Sequence, residues 1–204
     1  MVVNKFERDG VKSIVYQMDC VEFMKGCADN QFDLAIVDPP YGIDIKTRVF
    51  DDGKKWDSET PKKEYWNELF RISKNQIIFG GNYFQLYSSR GWIFWDKGQR
   101  GLTMSDGELA WTSFDKPLRA ITFNRVEIKG KEARTYHPTQ KPLELMRWCL
   151  ENYAKDCKTV IDPFAGSFTT AIACKDMGFD WIAIDQEEKY CEIGEKRLMQ
   201  QNLF

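Results

Sequence analysis

The sequence predicts one α/β domain with a mostly parallel β-sheet, and three observations support this prediction. The chain has 204 residues, which suits a single domain with a full core. Short apolar runs alternate with segments of helical periodicity, as in a sheet covered by helices. Neither an internal repeat nor a low-complexity tract divides the chain. We therefore treat residues 1–204 as one domain.

The individual elements follow from local patterns along the chain. Six apolar runs predict strands, at residues 13–18, 32–37, 76–79, 92–95, 159–161 and 181–184. Two further strands, at residues 108–114 and 118–123, are predicted to pair with each other around a turn at 115–117. Helical periodicity predicts α-helices at residues 21–26, 61–73, 142–153, 167–177 and 187–198.

Composition argues against a membrane, secreted or metal-stabilised protein. Hydrophobic residues form 43% of the chain, and no apolar run approaches the roughly 20 residues that span a bilayer. The first ten residues lack the apolar segment of a secretory signal. Six scattered cysteines without a CxxC pair, and a single histidine, do not make the usual pattern of a zinc site. We predict a cytoplasmic protein with reduced thiols, no bound metal and no membrane partner.

Carboxylates at the ends of predicted strands are the first candidate site residues. In open α/β sheets, ligands bind beyond the carboxyl ends of the strands. Each acid could equally be a helix N-cap. Five strands are followed by such an acid: Asp19, Asp38, Asp96, Asp162 and Asp185.

The strongest motif is Asp38-Pro39-Pro40-Tyr41, directly after the strand at 32–37. A rigid turn would explain the prolines, but not the flanking acid and aromatic ring. An exocyclic amino group of a nucleic-acid base attacks a sulfonium methyl group only when its lone pair is freed from the ring. Two acceptors on its N–H bonds favour this, and the Asp38 carboxylate and the Pro39 carbonyl supply them. Tyr41 can stack on the base.

A second segment, TVIDPFAGSFTT at 159–170, has the form of a ligand-binding loop. An apolar strand ends in Asp162, and a loop of small residues then opens a helix, which brings backbone N–H groups to a bound nucleoside. The next strand ends at Asp185, 23 positions later, where an acid can accept both ribose hydroxyls. Glu187 is the alternative residue for that role.

Together with YHPTQKP at 136–142, these motifs resemble the β-class S-adenosylmethionine-dependent DNA amino-methyltransferases, which act on adenine N6 or cytosine N4. The resemblance implies a Rossmann-like fold with a mostly parallel, seven-stranded sheet that includes one antiparallel strand. It also implies a circularly permuted order, with the catalytic segment before the cofactor segment. Phe168 departs from the family pattern, which usually has glycine there, and this puts the tightness of the loop in question.

The resemblance further implies S-adenosylmethionine as cofactor, S-adenosylhomocysteine as product, and no metal. Asp19 would recognise the cofactor's adenine, and Lys141 would pair with its methionine carboxylate. The catalytic residues would be Asp38, Pro39, Pro40 and Tyr41. The cofactor-binding residues would be Asp19, Cys20, Asp38, His137, Thr139, Gln140, Lys141, Asp162, Phe164, Ala165, Gly166, Ser167, Thr169 and Asp185.

Adenine N6 is the expected target, because DPPY is commonest in the adenine enzymes of this family. Three alternatives stay open: a cytosine-N4 enzyme, an RNA or protein-amide methyltransferase, and a catalytically weak module that binds cofactor or DNA. We expect the setting to be DNA methylation, as in restriction–modification, in a prokaryotic cell or a phage-infected host.

The chain leaves little room for target recognition. We assign residues 1–96 to a catalytic half, 97–136 to a short recognition or hairpin region, and 137–204 to a cofactor half. The partner would be DNA with its target base flipped out of the helix. A short recognition region predicts a short target sequence, help from a second subunit in a homodimer, or low specificity. Candidate DNA contacts are Lys46, Arg48, Lys54, Lys55, Trp56, Arg125, Lys129, Lys131 and Arg134.

Overall fold

The computed structural model describes residues 2–8, 11–43, 57–102, 105–124 and 140–199. In the first part of the chain the elements are β1 (Val2–Arg8), β2 (Val11–Gln17), α1 (Cys20–Lys25), β3 (Phe32–Val37), α2 (Lys63–Ile72) and β4 (Ser73–Phe79). A short 3-10 helix, Gly81–Tyr83, follows β4. The second part contains β5 (Trp92–Asp96), β6 (Gly107–Thr112), β7 (Arg119–Thr122), α3 (Leu143–Tyr153), β8 (Thr159–Asp162), α4 (Thr169–Met177), β9 (Asp180–Asp185) and α5 (Glu188–Met199).

The strands form one mixed sheet in the order β1-β2-β9-β8-β3-β4-β6-β5-β7. The run from β2 to β4 is parallel, whereas β6 is antiparallel to both of its neighbours. This confirms the predicted α/β class, the antiparallel strand and the permuted order, because β3 precedes β8 in the chain and pairs directly with it. The predicted seven-stranded sheet forms the centre. At its edges lie β1, which was not predicted, and β7, which corresponds to the strand predicted at 118–123.

The predicted hairpin between residues 108–114 and 118–123 is wrong. The strands β6 and β7 lie on opposite sides of β5, with Phe94 opposite Leu109 on one side and opposite Ala120 on the other. The turn at 115–117 does reverse the chain locally, but it carries β7 past β6 to the far side of β5. A turn motif determines where a strand ends, whereas its pairing partner depends on which edge can still accept hydrogen bonds.

Helices cover both faces of the sheet. Leu34 and Ile36 of β3 point into a core shared with α3, α4 and α5, while Ala35 and Val37 point into a core shared with α1 and α2. Because β3 is buried on both faces, it is a nearly continuous apolar run, as expected for a central parallel strand. The first polar residue after it is Asp38, which leaves the core at the carboxyl edge of the sheet. None of the helices in the described part of the chain is long and apolar enough to cross a membrane.

Candidate active site

Four of the predicted strand-end acids meet at one cavity. The strands β2, β9, β8 and β3 are parallel neighbours, and their carboxyl ends carry Asp19, Asp185, Asp162 and Asp38 in that spatial order. All four line a cavity of about 540 Å³. At about 4.8 Å between neighbouring strands, the three intervals span roughly 14 Å. The four carboxylates therefore follow one another along the edge of the sheet that borders the cavity.

The fifth acid, Asp96, ends β5 and does not line this cavity. Its carboxylate accepts the N–H of Gly98 at 2.9 Å and two N–H bonds of Arg100 at 2.8 and 2.7 Å. These partners lower the pKa of Asp96 to about 2, with Arg100 as the main cause. Asp96 therefore stabilises the turn after β5, and it lies at a strand end that does not contribute to the site.

All the predicted cofactor residues that the structure describes line the cavity. They come from the ends of four strands and from the segment before α3, so the fold brings together residues that are far apart in the sequence. They are Asp19, Cys20, Asp38, Gln140, Lys141, Asp162, Phe164, Ala165, Gly166, Ser167, Thr169 and Asp185. The other two, His137 and Thr139, lie outside the described residues.

The loop after β8 is fixed to the neighbouring strand β9. The N–H of Gly166 donates to the Asp185 carboxylate at 2.9 Å, and the N–H of Ala165 donates to the Ile184 carbonyl at 2.9 Å. Asp162 accepts the N–H of Phe164 at 3.1 Å. Burial raises the pKa of Asp162 to about 7 and that of Asp185 to about 6. Ionised, these buried carboxylates suit a ligand that donates hydrogen bonds or carries positive charge.

Asp19 and Asp185 also serve the backbone. Asp19 caps α1 by accepting the N–H groups of Val21 and Glu22 at 2.8 and 3.0 Å. The second oxygen of Asp185 accepts the N–H of Glu187 at 2.9 Å. Since each carboxylate oxygen has more than one acceptor site, capping leaves capacity for a ligand. The helix-cap and ligand-binding interpretations of these acids are compatible.

Phe168, the residue that departs from the family pattern, adopts a left-handed conformation with φ of 62°. A glycine would adopt it without strain. The Phe168 side chain is fully buried, and its ring lies against Gly194 of α5, where an added Cβ would be 2.3 Å from two ring atoms. The loop has Phe168 where the family usually has glycine, and Gly194 in the facing helix leaves space for the Phe168 ring.

Around Asp38, both carboxylate oxygens have partners. The Tyr41 hydroxyl donates to Oδ1 at 2.7 Å, and the Lys141 ammonium donates to Oδ2 at 2.5 Å. Pro40 lines the cavity, whereas Pro39 is buried and does not line it. Tyr41 does not line the cavity. Its ring is stacked on Tyr83, with 4.9 Å between centroids and 13° between planes.

The backbone after Asp38 is held by Asp57, which was not among the predicted site residues. The buried Asp57 carboxylate accepts the N–H groups of Tyr41 and Gly42 at 2.6 and 3.2 Å. Gly80 completes this packing, since a Cβ there would be 2.2 Å from the Tyr41 ring. Asp57 lies in a polar stretch that is rich in charges, so no local signal distinguishes it from a solvated acid.

Lys141 connects Asp38 to a buried chain of charges. Its ammonium lies 3.2 Å from the Glu108 carboxylate, which is 2.8 Å from the ammonium of Lys97. The family resemblance implied that Lys141 pairs with the cofactor's methionine carboxylate, whereas in the structure it pairs with two carboxylates of the protein. Lys97 and Glu108 were missed. Their charges, in the apolar contexts WIFWDK and GELAWT, were the signal that could have identified them.

Neighbouring charges influence the ionisation of Glu108, Lys141 and Asp38. Burial alone would raise the pKa of Glu108, but the ammonium groups of Lys141 and Lys97 lower it to about 2. Burial opposes the charge on Lys141, yet Asp38 and Glu108 raise its pKa above the ordinary value. At Asp38, burial raises the pKa and Lys141 counteracts part of that effect. Two cations and two anions therefore form a balanced cluster that ends on Asp38.

The predicted DNA contacts are not part of the described structure. All of them fall in two segments, residues 44–56 and 125–139, that lie outside the described residues: Lys46, Arg48, Lys54, Lys55, Trp56, Arg125, Lys129, Lys131 and Arg134. Their roles stay predictions from the sequence.

The fold and the site define a class of protein: an α/β chain with a ligand-sized cavity beyond the carboxyl ends of parallel strands. The DNA methylase family model N6_N4_Mtase matches residues 92–196, more than half of the chain. The chain therefore belongs to this family of DNA methylases. The matched segment contains Lys141 and the loop after β8, while the Asp38 motif precedes it.

Curated relatives agree with this family. The type II methyltransferase M.HinfI of Haemophilus influenzae is 26% identical, over 88% of this chain and 66% of its own length. The type II methyltransferase M2.MboI of Moraxella bovis is also 26% identical, over 94% of this chain and 89% of its own length.

Solved structures share the fold. The structure of M1.HpyAVI in complex with S-adenosylmethionine superposes with a TM-score of 0.61 at 24% identity, over 91% of this chain and all of that chain. The cytosine-N4-specific PvuII DNA methyltransferase superposes with a TM-score of 0.60 at 13% identity, over 94% of this chain and 88% of that chain.

Proposed function

We propose that this chain transfers the methyl group of S-adenosylmethionine to the exocyclic amino group of a DNA base, with adenine N6 as the target. One observation carries the proposal: Asp38 and the loop from Asp162 to Gly166 line the same cavity. A methyl donor held by the loop would lie within reach of an amino group held by the carboxylate. Had the two faced different sides of the molecule, the proposal would have failed.

The residues present fit S-adenosylmethionine. A cavity of about 540 Å³ is in the usual size range for small-molecule sites. The order of acids along the sheet edge matches the order of groups in the cofactor. Asp19 would take the adenine, Asp185 the ribose hydroxyls, and Asp162 the cationic methionine end. This order would leave Asp38, which follows β3, to hold the amino group that receives the methyl group. The structural neighbour M1.HpyAVI, solved with this cofactor, supports the assignment.

When bound, the cofactor would supply an electrophilic methyl group on a positively charged sulfur, and S-adenosylhomocysteine would leave as the S–C bond breaks. The chain's own residues then orient the nucleophile. Asp38 and the Pro39 carbonyl would accept the two N–H bonds of the amino group and so free its lone pair for the methyl group. Each Asp38 oxygen already has one partner but keeps another acceptor site. The methylated amine readily loses its extra proton, so no strong general base is required.

DNA would reach this site only with its target base outside the helix, because the amino group is otherwise paired. The basic residues at 44–56 and 125–139 would contact phosphates and position the duplex without specifying sequence. Type II methyltransferases among the relatives support DNA as the substrate and restriction–modification as the setting. A recognition region this short predicts a short target sequence, a homodimer or low specificity.

Cytosine N4 is the second candidate target. The structural similarity to the cytosine-N4-specific PvuII enzyme extends over 94% of this chain, and both reactions need the same two acceptors. The sequence Asp38-Pro39-Pro40-Tyr41 favours adenine, because the cytosine enzymes more often have serine in the first position.

The test is to incubate unmethylated DNA with the protein and S-adenosylmethionine, digest it, and identify the modified nucleoside. We expect the modified nucleoside to be N6-methyldeoxyadenosine. N4-methylcytosine would replace the adenine assignment with the second candidate. No modified base in DNA, with cofactor still bound, would overturn the proposed reaction.

Asp38→Ala and Asp96→Ala provide a matched pair of variants for the same assay. Both remove an aspartate that follows an apolar strand, but only Asp38 lines the cavity. We expect Asp38→Ala to abolish methylation while the cofactor's Kd changes by less than about threefold. Asp96→Ala should keep most of the activity. Equal activity of Asp38→Ala and the wild type would refute the role of Asp38.

A further inference from the structure

The Lys97–Glu108 pair lies behind the proposed catalytic carboxylate without reaching the cavity. Lys97 follows β5 and Glu108 belongs to β6, and neither lines the cavity. Their ammonium and carboxylate are 2.8 Å apart, and the Lys97 and Glu108 side chains are 7% and 22% exposed. Burying two charges is costly unless they are closely paired. A buried pair outside the cavity, adjacent to a cavity residue, calls for an explanation beyond ligand contact.

The pair contacts Lys141, and Lys141 contacts Asp38. The Lys141 ammonium lies between the Glu108 carboxylate at 3.2 Å and the Asp38 carboxylate at 2.5 Å. Its side chain is also only 7% exposed, so it has little freedom to leave this position. A flexible lysine stem holds a carboxylate in one orientation only if its own ammonium is fixed. Glu108 supplies that second anchor, and Lys97 neutralises Glu108 in turn.

We propose that Glu108 and Lys97 are positioning residues, which fix the Lys141 ammonium and through it both the orientation and the charge state of Asp38. The inference rests on the proposed methyl transfer at Asp38 and extends it to two residues that touch neither cofactor nor base. Without Glu108, Lys141 would rest on Asp38 alone and could draw the carboxylate away from the amino group. Misplacement of a reacting group by about 1 Å costs on the order of 100-fold in rate.

The charges predict opposite effects of the two residues on the pH dependence. The groups that face Asp38 are Tyr41 on its own segment, Lys141 before α3, Glu108 on β6 and Asp162 at the end of β8. Methyl transfer needs Asp38 ionised, so activity falls as pH drops through its pKa. The fall in activity at low pH is the acid limb of the pH–activity profile. Removing the negative charge of Glu108 should move this acid limb to lower pH. Removing the positive charge of Lys97 leaves one cation, Lys141, against the two anions Glu108 and Asp38, and should move the limb to higher pH.

The experiment compares Glu108→Gln, Lys97→Gln and the double variant with the wild type. For each, kcat and KM for DNA and the Kd for S-adenosylmethionine are measured across pH. We expect kcat of Glu108→Gln to fall about 10- to 100-fold, with the cofactor Kd within about twofold. The acid limbs of the single variants should shift in opposite directions. The double variant restores the charge balance, so its acid limb should return toward that of the wild type.

Asp176→Asn is the matched control. Asp176 of α4 forms a 2.5 Å ion pair with Arg147 of α3, and neither residue lines the cavity, so its loss should shift neither limb. Limbs that shift in the same direction, or not at all, would overturn the inference. A purely structural role would lower kcat and thermal stability together without opposite pH shifts. If the wild-type protein fails to methylate DNA, the proposed function fails instead, and the two failures are distinguishable.

Discussion

The contact between Phe168 and Gly194 gives a prediction whose size follows from the structure. In Gly194→Ala, the new Cβ would lie 2.3 Å from two atoms of the Phe168 ring, and the ring is fully buried. Overpacking of this kind costs about 1–3 kcal/mol. In a Phe168→Gly background the ring is gone, and alanine should then be favoured over glycine in α5 by about 0.5–1 kcal/mol.

The Phe168→Gly change itself has two opposing parts. Loss of a buried phenylalanine side chain costs about 3–5 kcal/mol. Relief of the left-handed conformation at this residue, with φ of 62°, returns about 1–2 kcal/mol. The net expectation is destabilisation by about 1–4 kcal/mol, with the range set by how far α4 and α5 collapse into the vacated space.

Urea unfolding of the wild type, both single variants and the double variant measures the free energy of unfolding of each. Gly194→Ala should change sign between the two backgrounds, which gives a coupling energy of about 1.5–4 kcal/mol. The m-values should agree among the four proteins, so that differences in midpoint report stability. Additivity within about 0.5 kcal/mol would refute the idea that the ring occupies the space over Gly194.

Two further predictions concern the acids of the site. Burial raises the pKa of Asp162 to about 7, so its protonated form stabilises the ligand-free fold at low pH, and this contribution is lost as pH rises from about 4 to 7. In Asp162→Asn, the free energy of unfolding should vary less with pH over this range, by roughly 4 kcal/mol at most. Thermal or urea unfolding at several pH values measures this difference. An unchanged pH dependence would contradict a buried carboxyl group at Asp162. Asp57→Ala removes the acceptor for the Tyr41 and Gly42 N–H groups and should lower kcat about 10- to 100-fold with little change in cofactor Kd. A loss confined to cofactor binding would show that Asp57 does not hold the Asp38 segment.

The acids of the site could be found from sequence because they follow a general rule of parallel sheets. Asp19, Asp38, Asp162 and Asp185 each follow an apolar run, and the carboxyl ends of parallel strands share one edge. Asp96 obeys the same local pattern but ends β5, which lies beyond the antiparallel strand β6. Nothing within the run that ends at Asp96 indicates where its strand lies in the sheet.

The positioning residues could not be found by the same reasoning. Lys97 and Glu108 are polar residues at the margins of apolar strands, where solvent-exposed charges are also common. Only the antiparallel pairing of β5 with β6, and the approach of the segment before α3, bring them to Lys141. Asp57 reaches the backbone of Tyr41 across 16 positions of chain, with no periodicity to indicate the contact.

The sequence by itself determined the α/β class, the permuted order of the two motifs and the identity of the cavity's acids, because apolar runs, turn residues and short motifs are local properties of a chain. The tertiary structure alone decided that β6 and β7 both pair with β5, that Phe168 packs on Gly194, and that Lys141 joins Asp38 to Glu108. These are contacts between residues distant in the chain. The energy of each contact depends on which strand edges and which charged groups still lack a partner as the strands and helices assemble. These groups are defined only when the whole core has formed.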